Sequence, residues 1–263
     1  MTFRPYARTE LKTWWCTVNN ALIIPSVSPT IDELVAQCGH YVQQKLNLAI
    51  AQRGIARMAL AGGNTPKALY AWLASSAQAS RVNWSSVQFY FGDERSVPRS
   101  HPDSNYGMAK TYLFDPLGIN QDQVFPMVSE PMLDIVEEAA RYEKILDSWR
   151  DQSAGSTPPV FDLALNGMGA DGHFASLFPD TPALLENEHW VVANPVVKLA
   201  TQRITLTYPV FEQARAVCFL VAGADKQDAF FAVQQPDSGL PVARLIRKRQ
   251  TDWFVDQACI EGN

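Results

Sequence analysis

An aspartate and a histidine stand two residues apart in a loop that is dense in glycine. Asp171 and His173 follow an apolar run at 161–165, which predicts a buried strand, and glycines lie at 167, 169 and 172. In extended or turn geometry, side chains two residues apart point the same way. A histidine beside a carboxylate at the end of a strand is suited to act as a general base. We predict that role for His173, with a satisfied loop histidine as the alternative.

A second segment with possible chemistry, Gly62-Gly63-Asn64-Thr65-Pro66, joins an apolar run to a predicted helix. Glycines expose backbone N–H groups, Thr65 offers a hydroxyl, and a helix presents its positive end at its N-terminus. This combination is typical of phosphate binding. The segment lacks the spacing and the Gly-Lys-Ser/Thr ending of a Walker P-loop. A plain strand-to-helix turn, capped by Asn64 or Thr65, is the alternative.

Two cations follow the ends of other predicted strands. Arg95 comes shortly after one apolar run, and Lys226 lies in the first turn of a helix that follows another. Arg95 could bind a phosphate or carboxylate through its planar fork, or it could pair with Asp93 or Glu94. Lys226 opposes the helix dipole, which suggests a nearby anion, and a solvated lysine is the alternative. Together the strand ends indicate one cleft for a ligand with a phosphate and a reacting carbonyl group.

The elements that must position these groups alternate between strands and helices. Apolar runs predict strands that begin near residues 56, 87, 161, 190, 203 and 216. A capping box of Thr30 and Glu33 begins a helix that ends near Gly54. Further helices are expected at 66–74, 104–113, 131–150 and 225–233, and 253–259 predicts a last strand or helix. The alternation implies an α/β fold with a mostly parallel sheet, whose carboxyl edge is the usual place for a ligand.

The composition is that of a globular protein with a full core. Of 263 residues, 47% are hydrophobic and 19% are charged, and the net charge of −5 argues against a general nucleic-acid binder. Four cysteines without metal-ligand spacing predict reduced thiols. We expect no signal peptide, and no apolar run has the length of a membrane span. The sequence therefore predicts a cytoplasmic protein that contacts neither membrane nor nucleic acid.

Three other kinds of site are disfavoured. The stretch 167–172 satisfies the dinucleotide pattern G-x-G-x-x-G, but Pro179 and Pro182 leave no room for the long helix that the pattern requires. Asp171 would also place a negative charge where the pyrophosphate should lie. No G-x-S-x-G sequence indicates a serine hydrolase. No histidine, cysteine or acid cluster has the spacing of metal ligands, so we predict no metal.

The same motifs recur, in this order, in the 6-phosphogluconolactonase family, which the chain resembles from about residue 30 to 260. The resemblance is carried by Gly62-Gly63-Asn64-Thr65-Pro66, Asp93-Glu94-Arg95-Ser96-Val97-Pro98, His101-Pro102-Asp103-Ser104-Asn105, Gly167-Met168-Gly169-Ala170-Asp171-Gly172-His173, Arg203-Ile204-Thr205-Leu206-Thr207 and Gly223-Ala224-Asp225-Lys226. Two residues depart from the family pattern: Asn64 replaces the usual serine, and Phe174 stands where threonine is common. We expect Asn64 to tune the phosphate contact without abolishing it, whereas Phe174 could narrow the pocket beside His173.

The resemblance implies a three-layer α/β/α fold shared with glucosamine-6-phosphate deaminases and ribose-5-phosphate isomerases. It also implies hydrolysis of 6-phospho-D-glucono-1,5-lactone in the oxidative pentose phosphate pathway, without a cofactor. His173 would be the base and Asp171 would orient it. The residues expected to bind substrate are Gly62, Gly63, Asn64, Thr65, Arg95, Gly169, Arg203 and Lys226. Backbone N–H groups of the 167–172 loop would hold the developing oxyanion, and Arg203 has the alternative role of tying strands together.

Glucosamine-6-phosphate deaminase is the main alternative function, because that family shares the Asp-Gly-His turn. Its catalytic glutamate would stand at position 178, where this sequence has phenylalanine, which favours the lactonase. A sugar-phosphate-binding regulator is a third possibility, and the intact Asp171 and His173 pair argues against it. We expect residues 28–263 to form a single domain after an N-terminal extension of residues 1–27, and either a monomer or a dimer is compatible with the sequence.

Overall fold

The computed structural model describes residues 23–150 and 157–262, which form two sheets surrounded by helices. The strands in chain order are β1 (Pro25–Ser28), β2 (Ala56–Leu60), β3 (Val87–Phe91), β4 (Asp93–Arg95), β5 (Leu163–Asn166), β6 (Val191–Val196), β7 (Thr201–Leu206), β8 (Val217–Val221) and β9 (Asp252–Asp256). The larger sheet has six strands in the order β1-β9-β8-β5-β2-β3, and all its pairings are parallel. Every residue of β5 and β8 is buried, as in strands that are covered on both faces. The predicted α/β class with a mostly parallel sheet is confirmed.

Helices connect the parallel strands. They are α1 (Ile31–Arg53), α2 (Asn64–Leu73), α3 (Asn105–Ala109), α4 (Asp115–Leu117), α5 (Ile135–Asp147), α6 (Tyr208–Gln213), α7 (Gln227–Ala232), α8 (Pro241–Lys248) and α9 (Gln257–Glu261). The first of them begins and ends as predicted: Thr30 Oγ1 accepts a hydrogen bond from the Glu33 N–H at 3.2 Å, and Gly54 follows its last residue with a φ of 75°. Glycine favours that left-handed conformation because it has no Cβ to clash with the backbone.

Strands β4, β7 and β6 form a separate antiparallel sheet that the sequence does not predict. β7 lies in the middle and pairs with both neighbours. The turn between β6 and β7 is short, so the two strands can only pair as an antiparallel hairpin. β4 begins just after β3 ends, separated from it by Gly92. The small sheet therefore extends from the carboxyl edge of the large one and brings its side chains to that edge.

Several elements differ from the sequence-based expectations. α5 begins at Ile135 instead of residue 131, because the Asp134 carboxylate accepts a hydrogen bond from the Val136 N–H at 2.9 Å and caps the helix there. α8 was not expected, although a proline at the first helical position favours a helix start. β1 begins at Pro25, within the expected N-terminal extension, and pairs with β9. The 253–259 region forms both β9 and α9. Within the described ranges, no helix has the length and apolar character needed to cross a bilayer.

Candidate active site

Four loops with polar or glycine residues meet at the carboxyl edge of the large sheet. They follow β8, β5, β2 and β3, which are direct neighbours in the sheet. The loops begin at Ala222, Gly167, Ala61 and Gly92, respectively. Because parallel strands end at the same edge, residues from distant parts of the sequence come together there.

The loop after β5 has a compact backbone that presents His173. The Gly169 N–H donates to the His173 carbonyl at 2.9 Å, and the Gly172 N–H donates to the Gly169 carbonyl at 3.0 Å. Gly172 has a φ of 69°, in the left-handed region. A Cβ added to Gly169 would lie 2.1 Å from both Nδ1 and Cε1 of the imidazole. Gly169 therefore gives the His173 ring its room, and its N–H is already engaged within the loop.

The His173 imidazole is held on one edge and one face. Nδ1 contacts Oδ1 of Asp171, and the same oxygen accepts a hydrogen bond from the His173 N–H at 3.3 Å. The ring stacks on Phe178, with a centroid separation of 4.0 Å and an interplanar angle of 27°. The side chain remains 27% exposed. With Nδ1 on the carboxylate, Nε2 is the nitrogen left to exchange a proton.

Burial is the main reason why this imidazole is neutral. Burial lowers the pKa of His173 to about 4, the positive charges of Lys226 and Arg203 act in the same direction, and the negative charge of Asp93 opposes them. A neutral imidazole can accept a proton at physiological pH. Lys226 and Arg203, which belong to other segments, therefore lie close enough to His173 for their positive charges to act on its imidazole.

Two arginines face each other across the small sheet. Arg95 on β4 is paired in register with Arg203 on β7. Burial lowers the pKa of Arg203, and the positive charge of Arg95 lowers it further. Like charges placed directly opposite each other on neighbouring strands are destabilising, which an anion bound between them would relieve. Arg203 donates to Thr201 Oγ1 at 2.9 Å on its own strand, and Arg95 donates to the Asp103 carbonyl at 2.5 Å.

Lys226 reaches the site from the turn Ala224–Lys226 that follows β8. Its side chain is largely covered, and Nζ lies 2.9 Å from the Asp225 carboxylate. Asp256, at the end of β9, holds this turn by accepting the Gly223 N–H at 3.0 Å. Lys226 therefore has a carboxylate partner near the surface and still contributes positive charge at His173.

A buried polar network, which the sequence analysis did not identify, links the loop after β5 to the segment that follows β3. The Asp93 carboxylate accepts a hydrogen bond from Ser176 Oγ at 2.6 Å, and the Asp93 carbonyl accepts one from Asn105 Nδ2 at 2.8 Å. Asn105 packs against Gly62, where an added Cβ would lie 2.0 Å from Oδ1. Gly62 therefore permits the close approach of the β2 and β3 loops.

Glu94 has a structural role instead of pairing with the Arg95 guanidinium. Its carboxylate accepts hydrogen bonds from the N–H groups of Arg95, Asn105 and Tyr106, each at 2.8 Å. Burial raises the pKa of Glu94, and these three N–H donors oppose the shift. The carboxylate thus caps the first turn of α3, and the Arg95 guanidinium does not pair with it.

The Gly62–Thr65 segment follows β2, which ends at Leu60, and includes the beginning of α2. Gly63 precedes the helix with a φ of 101°, and the helix begins at Asn64, two residues earlier than expected. Gly63 and Asn64 are exposed, and the backbone N–H groups of residues 62–65 have no hydrogen-bond acceptor among the described residues. Free donors at the N-terminus of a ten-residue helix could receive an anion.

Phe174 does not line the site. It is fully buried and packs edge-on against Tyr208, Phe211 and Phe219, at centroid separations of 5.0 to 5.8 Å. The expectation that it could narrow the pocket was wrong, because neighbouring residues of this loop point in opposite directions. Phe178, five residues after His173, is the aromatic residue that contacts the imidazole.

Lys198 is a further residue of this site that the sequence analysis missed. Its Nζ contacts Oδ2 of Asp171, from the turn between β6 and β7. The two residues are 27 positions apart. No local pattern around Lys198 predicts this contact. In the part of the chain that the structure describes, no group of three or more His, Cys, Asp and Glu side chains could hold a metal ion.

The chain matches known proteins over most of its length. The family model described as glucosamine-6-phosphate isomerases/6-phosphogluconolactonase matches residues 29–254. A 6-phosphogluconolactonase of Synechocystis is 39% identical over 224 residues, which cover 84% of this chain and 90% of that protein. One of Mycobacterium tuberculosis is 37% identical over 238 residues, which cover 88% and 94%.

The solved structures give the same result. The 6-phosphogluconolactonase from Trypanosoma brucei aligns with a TM-score of 0.78 and 31% identity, over 90% of this chain and 98% of that one. The 6-phosphogluconolactonase from Trypanosoma cruzi aligns with a TM-score of 0.77 and 27% identity, over 93% and 99%. The resemblance inferred from the motifs is confirmed, and the chain belongs to the glucosamine-6-phosphate isomerase/6-phosphogluconolactonase family.

Proposed function

We propose that this chain hydrolyses 6-phospho-D-glucono-1,5-lactone to 6-phospho-D-gluconate, in the oxidative pentose phosphate pathway of the cytoplasm. The observation that carries the proposal is a neutral imidazole, with Nδ1 on a carboxylate, in the field of two cations from other loops. A lactone carbonyl needs a base for the attacking water, and a phosphate needs positive charge. The curated relatives described above are themselves 6-phosphogluconolactonases.

His173 acts as the general base. Asp171 accepts the Nδ1–H, so Nε2 has the free lone pair that takes a proton from water as its oxygen attacks the lactone carbonyl. The tetrahedral intermediate then collapses, the ring C–O bond breaks, and the imidazolium returns its proton to the leaving ring oxygen. The water supplies the new carboxylate oxygen and, through the base, the hydroxyl proton, and its second proton is released when the product acid ionises. No cofactor is required for this sequence of steps.

The substrate phosphate binds among the cations. Arg95 and Arg203 face each other with no carboxylate partner for either guanidinium among the described residues, so a dianion between them removes their repulsion. Lys226 adds charge from the neighbouring loop. Gly62, Gly63, Asn64 and Thr65 contribute backbone N–H groups and polar side chains at the N-terminus of α2. Charge complementarity of this kind also attracts an anionic substrate from solution.

Gly169 contributes space for the imidazole. Its N–H donates to the His173 carbonyl, so we assign the oxyanion to other N–H groups of the same loop. Alanine at this position would push the imidazole away from Asp171.

The deaminase alternative lacks a needed acid. Position 178 holds a phenylalanine that stacks on His173, where the deaminase family has its catalytic glutamate. An aromatic ring cannot transfer a proton to or from the amino sugar. Ammonia release from glucosamine 6-phosphate should therefore be undetectable, and release at a rate comparable to lactone hydrolysis would favour the deaminase.

The direct test is the disappearance of freshly generated lactone with and without the protein. Heat-inactivated protein gives the rate of spontaneous opening. We expect the native chain to accelerate hydrolysis, and His173→Ala to lose about 10²- to 10⁴-fold in kcat with little change in KM. A native chain that does not exceed the heat-inactivated control would refute the function. An unchanged kcat in His173→Ala would refute the role of the base while leaving the function in place.

A further inference from the structure

We propose that Lys198 is a positioning residue for this reaction, which holds the Asp171 carboxylate so that His173 keeps one tautomer and one orientation. The inference rests on the proposed function, because it concerns the residue assigned there as the base. Lys198 lies in the hairpin of the small sheet, outside all of the predicted site motifs.

Lys198 lies at the tip of the hairpin formed by β6 and β7. The connecting turn is Val197–Leu199, closed by Ala200 with a φ of 47°. Val197 and Leu199, on either side of Lys198, are 89% and 50% exposed. The Lys198 side chain instead turns towards the loop after β5 and contacts Asp171. Lys198 thus lies at an exposed tip, but its ammonium pairs with a partly buried carboxylate. The geometry of the hairpin brings these two groups together.

The two oxygens of the Asp171 carboxylate are divided between two partners. Oδ2 contacts Lys198 Nζ, and Oδ1 contacts His173 Nδ1. The Lys198 Nζ also lies 5.0 Å from the centroid of Phe178, whose ring stacks on the imidazole. Lys198, Asp171, His173 and Phe178 thus form a closed group in which each side chain contacts two of the others. Such a group restricts the rotation of the carboxylate and of the imidazole.

The ammonium has two physical effects on the base. It fixes the second oxygen of Asp171, so the first oxygen stays in place to accept Nδ1–H, and Nε2 remains the basic nitrogen. It also offsets the negative charge of Asp171, which would otherwise stabilise the imidazolium. An uncompensated carboxylate this close typically raises the pKa of a cation by about one unit or more. Without Lys198, the ring should move more freely and hold a proton at higher pH.

Three variants separate this role from a general effect of charge. Lys198→Met removes the ammonium but keeps the length of the chain, and Lys198→Arg restores the charge. Lys110→Met is the matched control, because Lys110 also pairs with an aspartate, Asp115, and is 46% exposed against 48% for Lys198. Each protein is measured by NMR titration of the His173 imidazole without substrate, by kcat and KM for the lactone, and by its thermal midpoint.

We expect Lys198→Met to raise the titration midpoint of His173 by about one unit and to lower kcat about tenfold, with KM changed by less than about threefold. Lys198→Arg should restore most of the native His173 midpoint and of the native kcat. Lys110→Met should match the native protein in both. An unchanged imidazole midpoint with native kcat in Lys198→Met would overturn the proposal. A large rise in KM at constant kcat would also overturn it, since Lys198 would then bind the substrate directly. The imidazole titration needs no turnover. If the native chain is inactive, the proposed function is refuted, and the titration still tests whether Lys198 acts on His173.

Discussion

Replacing Gly169 with alanine should remove most of the catalytic rate while leaving the fold intact. The new Cβ would lie 2.1 Å from two imidazole atoms and 2.8 Å from Asp171 Oδ1, far inside contact distance. The atoms it meets belong to side chains, so the imidazole can swing aside instead of the backbone unfolding. That movement separates Nδ1 from Asp171. The loss of a positioned base corresponds to about 10²- to 10⁴-fold in kcat, or roughly 3 to 5 kcal/mol of transition-state stabilisation.

The matched control is Gly167→Ala in the same loop, where the nearest atom to an added Cβ is the Leu220 carbonyl oxygen at 4.0 Å. Neither glycine has a positive φ, so alanine introduces no backbone strain at either position. Lactone hydrolysis is measured as initial rates corrected for spontaneous opening, and thermal melting confirms folding. We expect Gly167→Ala to retain kcat within about threefold. A Gly169→Ala protein that also keeps kcat within that range would refute the inference that the imidazole must occupy this space.

Two further predictions concern charge. In the free protein, the His173 imidazole should titrate near pH 4, because burial disfavours its charged form more than the negative charge of Asp93 favours it. The ring is therefore neutral at pH 5, where an ordinary imidazole is almost fully protonated. NMR titration of the four histidines, assigned with His173→Ala, tests this, and a midpoint near 6.5 would contradict it. Arg95→Ala should raise KM for the lactone about 10- to 100-fold with kcat nearly unchanged, because a charged hydrogen bond to the phosphate is lost. Steady-state kinetics measure it, and an unaltered KM would remove Arg95 from the phosphate site.

Much of the candidate site was predictable because it lies at strand ends. Apolar runs mark the parallel strands, and glycines and polar residues follow them directly, so β2, β3, β5 and β8 could be located with their loops. In a parallel sheet these ends share one edge, which brings Gly62, Arg95, His173 and Lys226 towards one another. The predictions failed where a contact depends on the direction of a side chain or on the pairing of strands that are distant in the sequence. Phe174 was expected beside the pocket, but it points into the core.

The fold class, the family and the residue types at the edge of the sheet could be read from the sequence, because these depend on local periodicity and on contiguous motifs. Which side chains meet is evident from the packing of the folded chain and not from the sequence. The antiparallel small sheet places Arg95 opposite Arg203 and brings Lys198 to Asp171, and the close packing of Gly169 and His173 fixes the imidazole. These contacts join residues that are far apart in the chain or that depend on side-chain direction, and no local pattern specifies either. Local preferences form strands and turns, whereas burial and charge compensation select how those elements pack.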